Sequence, residues 1–381
     1  MNKLKILYIS SFAKKDCGVA SYTQDLIASI KKADPSVLFD VIAAETLPNE
    51  KVSSAAVKYY LKSPENYGKA AKLINDSNCN IVHIQHEFGL FAGQDGNKIV
   101  ALASKIKKPI IITFHTVLSD PDSSKKEIVT SLSKVASKII VMAVSATNNL
   151  TRVYTVNRQK ILELPHGVPE MAFDFQGKAK KKITLVDHQT LMTFGLLNPG
   201  KGIEYAIRAL ALTSGKYPKI KMLVIGKTHP KIVINEGEKY RQFLHSEVER
   251  LSLQNNVVFI DKYLSTKELL VFLQATDIYI TPYLEPQQTT SGTLAYALGA
   301  GKPCISTPYI YAKEVLSKER GYIVPFRDEK SIAEKILYLF DHPEIREQMA
   351  LNAYRFSRNM TWKTVGQLHL DSYRQLLDRE E

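Results

Sequence analysis

A repeated alternation of short apolar runs with amphipathic helical segments is the feature that most constrains this chain. The first run, "LKILYIS", has the length of a β-strand, and a loop ending at Gly18 leads from it into a segment with apolar residues at helical spacing. Further strand-like runs follow at "LFDVIAA", "CNIVHIQ", "PIIITFH", "KIIVMAV" and "KILELPH". Strands that are apolar along their whole length and alternate with helices are typical of a parallel sheet covered on both faces. The pattern therefore predicts an α/β fold with a doubly wound sheet.

A polar, lysine-rich stretch, residues 169–189, interrupts this alternation, and we interpret it as an interdomain linker. A second series of strand-like runs begins after it, at "TLMTFGLL", "IKMLVIGK", "NVVFIDKY", "DIYITPY", "KPCISTP" and "GYIVPF". The sequence thus predicts two doubly wound, Rossmann-like domains, residues 1–168 and 190–352. Residues 353–381 follow them as a C-terminal segment.

Composition limits the class of protein. The longest apolar runs fall well short of the ~20 residues that a membrane-spanning helix needs. The N-terminal stretch lacks a small-residue cleavage site and is better interpreted as a first strand than as a signal peptide. The three cysteines are odd in number and far apart, which argues against a disulfide framework and against a paired-cysteine zinc site. We therefore expect a cytoplasmic protein with reduced thiols.

The net charge of +13 raises the question of an anionic partner. The excess leans toward the N-terminal half, because residues 1–168 carry 22 lysines and arginines against 14 aspartates and glutamates. The lysine clusters are short and lack the interleaved aromatic residues of a nucleic-acid groove; they comprise Lys105, Lys107, Lys108, Lys125, Lys126, Lys178, Lys180, Lys181 and Lys182. We expect no nucleic-acid partner. A solvated basic face, contact with an anionic membrane and a phosphorylated substrate all stay open.

Candidate functional residues lie where the predicted strands end, because ligands of open parallel sheets bind at the carboxyl edge beside helix N-termini. Gly18 opens the first helix, where the backbone can approach a ligand, although a plain turn glycine is the alternative. His115 ends the apolar run "PIIITFH", which favours function over a packed core histidine, whereas a structural role explains His166 equally well. His83 and His86 differ by three positions on a strand and would face opposite sides, so we do not expect them to share a metal.

The second domain carries more specific patterns. In "FGLLNPGKGIEYAIRAL", Lys201 lies on a glycine-flanked loop between a strand and a helix, a placement that suits a phosphate. The loop is not a P-loop, because no G-x-x-x-x-G-K-[ST] pattern occurs in the chain. In "EPQQTTSGTLAYALGAGKP", residues 285–303, Thr290, Ser291 and Gly292 stand at a helix start whose free N–H groups and hydroxyls can hold a pyrophosphate. Simple helix capping is the alternative, but it leaves the preceding polar residues unexplained.

In their order along the chain, these segments resemble the retaining glycosyltransferases of family 4, which have the two-domain glycosyltransferase B fold. The resemblance rests on "CGVASYTQDL", "IVHIQHEFGLF", "ITFHTV", "LPHGV", "FGLLNPGKGIEYAIRAL", "SGTLAYALGAGKPCISTP" and "GYIVPFRD", and it spans almost the whole chain. It implies that the N-terminal domain binds an acceptor, that the C-terminal domain binds a nucleotide sugar, and that transfer occurs in the cleft between them without a metal. It also implies that the final helices, within residues 353–381, cross back to the N-terminal domain.

The resemblance implies roles for individual residues. Gly18 matches a glycine loop near the donor phosphates, and His115 matches a histidine beside the transferred sugar. Lys201 matches a phosphate-binding lysine, whose charge would stabilise the leaving diphosphate. The donor would also contact the helix start that comprises Thr290, Ser291, Gly292 and Thr293.

The sequence departs from the family's pattern in two places. Leu196 stands where the family usually has an arginine, just after the glycine that ends the strand. Two glutamates that the family separates by seven residues align with Gln288 and Tyr296, and Glu285 lies three residues before the first of these positions. A subset of bacterial members shows this "SGTLAYA" form, so we interpret the change as a variant. We expect a catalytic place for Gln288 beside the sugar and a donor contact for Tyr296. Glu285 would contact the donor if the turn at Pro286 folds it back into the site, but a solvent-facing Glu285 stays equally open, because the residue before a proline favours an extended conformation.

These patterns predict a metal-independent hexosyltransferase that needs no cofactor. The donor would be a GDP- or UDP-linked hexose of mannose or glucose type, and the acceptor a glycan, a lipid-linked intermediate or a small molecule. The protein would act in the cytoplasm or at the inner face of the membrane. A catalytically silent binding or scaffold protein is one alternative, and another sugar-nucleotide enzyme of the same fold is a second. An NAD-dependent dehydrogenase is disfavoured, because no G-x-G-x-x-G follows the first strand.

Overall fold

A computed structural model describes residues 3–12, 17–44, 56–63, 65–173, 177–317 and 319–378. The chain forms two compact units. Unit 1 comprises Met1–Gly167, Gln287–Thr290 and Asn359–Glu381, and unit 2 comprises Val168–Pro286 and Ser291–Arg358. Each unit is a parallel-sheet α/β domain, which confirms the predicted fold class.

Unit 1 contains a parallel sheet in the strand order β3-β2-β1-β4-β5-β6-β7. Its strands are β1 (Lys5–Ser10), β2 (Leu38–Ala44), β3 (Val57–Leu61), β4 (Ile81–His86), β5 (Ile110–Phe114), β6 (Lys138–Val141) and β7 (Ile161–Glu163). Every residue of β4 and β5 is buried, so both faces of the sheet centre are covered. The helices of this unit are α1 (Gly18–Ala33), α2 (Asn66–Asp76), α3 (Lys98–Ala103), α4 (Ser123–Val135), α5 (Val144–Arg152) and, at the end of the chain, α15 (Trp362–Leu377).

Unit 2 contains a parallel sheet in the strand order β10-β9-β8-β11-β12-β13. Its strands are β8 (Thr190–Phe194), β9 (Lys221–Ile225), β10 (Val257–Ile260), β11 (Ile278–Thr281), β12 (Cys304–Ser306) and β13 (Gly321–Ile323). Its helices are α6 (Gly177–Lys182), α7 (Ile203–Ser214), α8 (Pro230–Glu236), α9 (Lys239–Arg250), α10 (Thr266–Ala275), α11 (Gly292–Gly299), α12 (Ile310–Val315), α13 (Glu329–Asp341) and α14 (Pro343–Phe356). In the described part of the chain no helix is both long and apolar enough to span a bilayer.

All twelve predicted strands are present, and β3 is the strand that sequence patterning missed. It lies at the edge of its sheet and pairs with β2 across a register shift between Val41 and Ile42. Only its last residue, Leu61, is buried. An edge strand with partly exposed sides lacks the continuous apolar run by which the buried parallel strands were recognised.

The C-terminal helix α15 completes the core of unit 1 by packing against α1. A Cβ atom at Gly366 would lie 2.4 Å from Ser29 Oγ, so the two helices approach closely at this point. Trp362 and Tyr373 of α15 join Tyr22 of α1 in the same buried cluster. The last helix is therefore part of the structure that supports the sheet of unit 1.

Unit 1 buries five of the nine histidines of the chain, namely His83, His86, His115, His166 and His369. Burial lowers the pKa of His86 and His115 to about 3, and that of His166 and His369 to about 4. Burial, reinforced by neighbouring histidines, also holds the pKa of His83 well below its usual value. These side chains are neutral in the folded protein at physiological pH.

We predict that unit 1 loses stability in mild acid. The folded pKa values lie below the unfolded value near 6.5, so below that pH the unfolded chain binds more protons than the folded one. The free energy of unfolding should fall as the pH drops from about 7, by up to ~1.4 kcal/mol per pH unit for each buried histidine. Hydrogen exchange between pH 7.5 and 5 should show unit 1 amides losing protection before those of unit 2, none of whose four histidines is buried.

The variant His86→Phe provides a control for this pH dependence. The His86 ring packs against Phe88, Phe91 and Phe114, and neither of its ring nitrogens has a hydrogen-bond partner among the described residues. Replacing it with phenylalanine should make the pH dependence of unit 1 shallower. An unchanged slope, or equal loss of protection in both units, would contradict this explanation.

Candidate functional site

In unit 2, Lys201 lies on the loop that follows β8, at the carboxyl edge of the sheet. Pro199–Lys201 forms a short 3₁₀ turn, and Gly202, with φ of +59°, is the N-cap residue that precedes α7. The Lys201 ammonium lies 3.8 Å from the centroid of the Tyr283 ring, a distance at which cation and ring attract each other. The lysine is thus held at the sheet edge with its charge against an aromatic face.

Gly202 is required where the Lys201 loop meets the end of β11. A Cβ atom there would lie 2.2 Å from the carbonyl oxygen of Pro282, and the positive φ disfavours other residues as well. In addition, the N–H of Leu284 donates to the carbonyl of Gly200 over 2.8 Å. The loops after β8 and β11 are therefore connected through their backbones.

The start of α11 lies beside the same tyrosine. The hydroxyls of Tyr283 and Thr293 are 2.7 Å apart, and Thr293 Oγ1 is 3.2 Å from Ser291 Oγ. Ser291 also caps the helix, because its hydroxyl accepts from the N–H of Leu294. The capping interpretation of this serine is therefore correct, and the same hydroxyl still belongs to a polar group that includes Tyr283 and Thr293.

Gly195 and Gly226 directly follow β8 and β9 and have φ of +132° and +136°. A Cβ atom at Gly226 would lie 2.0 Å from the carbonyl oxygen of Gly195, and one at Gly195 would lie 3.3 Å from Thr293. The absence of side chains lets the two strand ends lie close to each other and to the start of α11. The predicted donor residues Lys201, Ser291, Gly292 and Thr293 are thus brought to one edge of unit 2.

His229, on the loop after β9, is a residue of this edge that sequence reasoning missed. Its N–H donates to the carbonyl of Leu197 over 2.8 Å, and its Nδ1 accepts from the N–H of Lys231. Burial, then Lys231 and Lys201, lower the pKa of His229. The motif "GKTHP" follows a predicted strand just as the Lys201 loop does, and that position is the signal that could have found it.

The stretch "EPQQTTSGTLAYALGAGKP" is divided between the two units. Gln287–Thr290 belongs to unit 1, where Thr289 Oγ1 accepts from the N–H of Val117 and Gln287 Oε1 accepts from the N–H of Asp120. Gln288 donates its amide to the carbonyl of Thr290 over 2.8 Å. Of the predicted site residues, Gln288 and Thr290 are thus grouped with the loop after β5, whereas Ser291, Gly292 and Thr293 are grouped with unit 2.

The other two predicted site residues of that stretch, Glu285 and Tyr296, lie in unit 2. Glu285 is exposed, and Tyr296 is half-buried on α11. Their donor contacts stay a prediction, as do those of the other residues of the stretch.

In unit 1, His115 follows β5 at the carboxyl edge, and its ring is held from two sides. Its Nε2 lies 2.8 Å from Oε1 of Gln85, a fully buried residue of β4. The edge-to-face contact with Tyr22 has a centroid distance of 5.0 Å and an interplanar angle of 88°. His115 is only 8% exposed, and its low pKa leaves it neutral.

Gly18 is the first residue of α1, and a Cβ atom there would meet nothing within 4 Å. Cys17, at the N-cap, makes no side-chain capping bond. Tyr22 lies four residues after Gly18 and so on the same face of α1. Gly18 is exposed at the start of α1, whereas Tyr22, one turn later, is buried against His115.

Residues 175–356 match the family model described as Glycosyl transferases group 1. Among curated proteins, the capsular polysaccharide biosynthesis glycosyltransferase CapM of Staphylococcus aureus is 24% identical over 260 residues, which cover 66% of this chain and 60% of CapM. Across the curated relatives that it matches, this chain spans 36% to 60% of their length.

Two solved structures resemble the whole fold. Sucrose-phosphate synthase from Thermosynechococcus elongatus has a TM-score of 0.79 at 16% identity, over 99% of this chain and 100% of that one. The Anabaena protein HepE, in complex with UDP and glucose, has a TM-score of 0.75 at 15% identity, over 98% of this chain and 100% of HepE. At these identities the likeness establishes the glycosyltransferase B fold.

We predict that Gly202→Ala will disturb the Lys201 loop. Left-handed backbone in a residue other than glycine costs about 1–3 kcal/mol, and the clash with Pro282 adds to that cost. Gly215→Ala, at the other end of α7, is the matched control, because its φ is −63° and a Cβ atom there meets nothing within 4 Å. Denaturant unfolding should show a loss for Gly202→Ala and no loss for Gly215→Ala, and equal stabilities would refute the assigned constraint.

Proposed function

Since residues 175–356 match the family model described as Glycosyl transferases group 1, we propose that this chain is a retaining glycosyltransferase of family 4. It transfers a hexose from a nucleoside diphosphate sugar to a hydroxyl of an acceptor. The observation that carries the proposal is the group at the carboxyl edge of unit 2, in which Lys201 lies against Tyr283 and the Ser291 and Thr293 hydroxyls lie beside that ring. Such a group combines one cation with hydroxyl donors and a helix start, the chemistry that binds a diphosphate.

The leaving group of this reaction carries the charge that needs stabilisation. The bond from the anomeric carbon to the diphosphate oxygen breaks, and negative charge accumulates on that oxygen. Lys201 would oppose this charge, and it requires no large rearrangement, because Gly202 and the ring of Tyr283 already hold its loop in place. His229 would add a donor at the same edge, since its Nδ1 is occupied by the N–H of Lys231 and the proton is left on Nε2.

The acceptor hydroxyl attacks the anomeric carbon, and its proton passes to an oxygen of the leaving diphosphate. We do not assign His115 as the base, because its pKa of about 3 makes it a weak proton acceptor at neutral pH. We assign it a place beside the transferred sugar, with Gln288 nearby on the segment that contacts the loop after β5. Attack from the face that the diphosphate leaves would retain the anomeric configuration.

We propose a UDP- or GDP-linked hexose as the donor. The structural likeness to HepE, whose structure contains UDP and glucose, supports UDP-glucose as the first donor to test. Glu285 and Tyr296 would then contact the donor from the loop before α11 and from the helix itself. We further propose that no metal takes part, because Lys201 and the helix start would supply the positive charge.

We propose a glycan or a lipid-linked intermediate as the acceptor, and the cytoplasm or the inner face of a membrane as the place of action. Two of the lysine clusters contribute less free charge than their sequence suggests. Lys125 pairs with Asp122 and Asp95, and Lys180 forms a 2.7 Å ion pair with the buried Asp277. Lys105 and Lys107 are exposed, and their cluster is therefore the better candidate for binding an anionic surface.

A binding protein without transferase activity is the second candidate, and two observations favour it. Leu196 provides no charge where the resemblance expects an arginine, and the Gln288 amide is engaged by the carbonyl of Thr290. Such a protein would bind the nucleotide sugar and release no diphosphate.

We predict that UDP or GDP will bind without a divalent metal. A ligand present at 100 times its dissociation constant raises the free energy of unfolding by about 2.7 kcal/mol. A thermal-shift panel with UDP, GDP, ADP and their sugars should therefore show which nucleotide raises the melting temperature of the protein. EDTA should leave both that shift and the transfer activity unchanged. Activity that vanished with EDTA and returned with manganese would contradict this prediction.

We predict that Lys201→Ala will lower turnover by ~10²- to 10³-fold, as the loss of a preorganised donor at developing charge usually does. Lys201→Arg should retain more activity because it keeps the charge. Lys239→Ala, an exposed lysine at the start of α9, is the control and should behave as wild type. Near-normal turnover of Lys201→Ala with an intact circular dichroism spectrum would show that another group stabilises the leaving diphosphate.

A further inference from the structure

A continuous chain of buried hydrogen bonds runs through unit 1 from the C-terminal helix to His115. The hydroxyls of Tyr8 and Tyr373 are 2.7 Å apart, and Tyr373 Oη is 2.7 Å from Nδ1 of His83. Nε2 of His83 lies 3.2 Å from Nε2 of Gln85, and Oε1 of Gln85 lies 2.8 Å from Nε2 of His115. Four members of this chain are fully buried, and His115, at its end, is 8% exposed.

The chemistry of the amide sets the direction of these bonds. The Oε1 atom of Gln85 can only accept, so Nε2 of His115 must carry a proton. The amide nitrogen of Gln85 can only donate, so Nε2 of His83 accepts and the His83 proton lies on Nδ1. His83 then donates to Tyr373, and Tyr373 donates to Tyr8. In every bond of the chain, the donor is therefore the partner nearer to His115.

Thr113 adds to the fixation of His83. Its hydroxyl lies 2.8 Å from the same Nε2 atom of His83, and the two donors, this hydroxyl and the Gln85 amide, share the single lone pair of that atom. The His83 ring also stacks on Tyr8, with centroids 5.0 Å apart. His83 is thus held by β1, β5 and α15, and it in turn holds the Gln85 amide in one orientation.

A neutral histidine with a proton on Nε2 has a lone pair on Nδ1. This Nδ1 atom has no hydrogen-bond partner among the described residues. Because the ring is confined by Gln85 on one side and by Tyr22 on another, it cannot turn without losing a buried hydrogen bond. The accessible nitrogen of His115 is therefore an acceptor.

We propose that Gln85 is a positioning residue that fixes His115 as the Nε2-protonated tautomer. His83 and Tyr373 hold Gln85 in place. Nδ1 of His115 then accepts a hydrogen bond from a substrate hydroxyl. This proposal rests on the proposed function for the identity of the ligand, a sugar. The hydroxyl-accepting state of His115 does not depend on it. Because Tyr373 lies on α15 and accepts from His83, the tautomer of His115 also depends on the position of that helix.

Nitrogen-15 NMR of the histidine rings tests the tautomer directly and without substrate. The chain has nine histidines, and comparison with His115→Ala identifies the relevant signal. Wild-type protein at pH 7 should show His115 neutral with its proton on Nε2. A proton on Nδ1 would mean that the Gln85 amide is turned around, and it would overturn the proposal.

Variants of Gln85 test whether the tautomer of His115 affects the rate of sugar transfer. Gln85→Leu removes the acceptor, so the His115 signal should show a mixture of tautomers and kcat/KM should fall by about 10-fold. Gln85→Glu keeps an acceptor for the Nε2 proton of His115 but removes the donor to His83. Nε2 of His115 should therefore stay protonated, while the His83 proton should move to Nε2, where it faces the carboxylate. Tyr373→Phe should shift the His115 signal in the same direction as Gln85→Leu and lower kcat/KM by about 3-fold.

Tyr311→Phe is the matched control, because Tyr311 is a buried tyrosine of unit 2 that takes no part in this chain. It should leave both the His115 signal and kcat/KM unchanged. A wild-type tautomer in Gln85→Leu, or unchanged kcat/KM in spite of a mixed tautomer, would overturn the positioning role. If the wild-type protein transferred no sugar at all, the proposed function would fail while the NMR result still decided the tautomer.

Discussion

Both units depend on parallel strands that are buried on both faces. Their backbone groups are satisfied by neighbouring strands, and their faces are closed by packing, so the polar groups that can meet a ligand lie at the strand ends and in the loops that follow them. In unit 2 this constraint brings together the loops after β8, β9 and β11, which carry Lys201, His229 and Tyr283. In unit 1 it places His115 next to the end of β4, where its N–H donates to the carbonyl of His86.

Unit 1 departs from an apolar core in a way that costs stability. Buried polar groups are unfavourable unless they are hydrogen-bonded, and the chain from Tyr8 to His115 meets that condition. The hydroxyl of Tyr22 and the indole nitrogen of Trp362, by contrast, are buried without a partner among the described residues. Unsatisfied groups of this kind beside a candidate site agree with the general finding that proteins depart from optimal packing where they function.

Sequence patterns predicted the features that are local in the chain. The twelve predicted strands, the start of α1 at Gly18 and the turn that carries Lys201 each follow from a few consecutive residues. What the sequence could not predict depends on contacts between distant residues. His83 and Tyr373 are 290 positions apart, and no spacing rule connects them. The division of residues 285–303 between two units was missed for the same reason, since it depends on Val117 and Asp120.

The proposed activity is the transfer of a hexose from a nucleoside diphosphate sugar with retention of configuration. Proton NMR of the anomeric signal, recorded while the full chain acts on UDP-glucose or GDP-mannose with an oligosaccharide acceptor, tests it most directly. We expect release of the nucleoside diphosphate and a new anomeric signal whose coupling constant is that of the donor's own anomeric configuration. An inverted configuration would contradict retention, and a donor that binds and remains intact with every acceptor would contradict transfer itself.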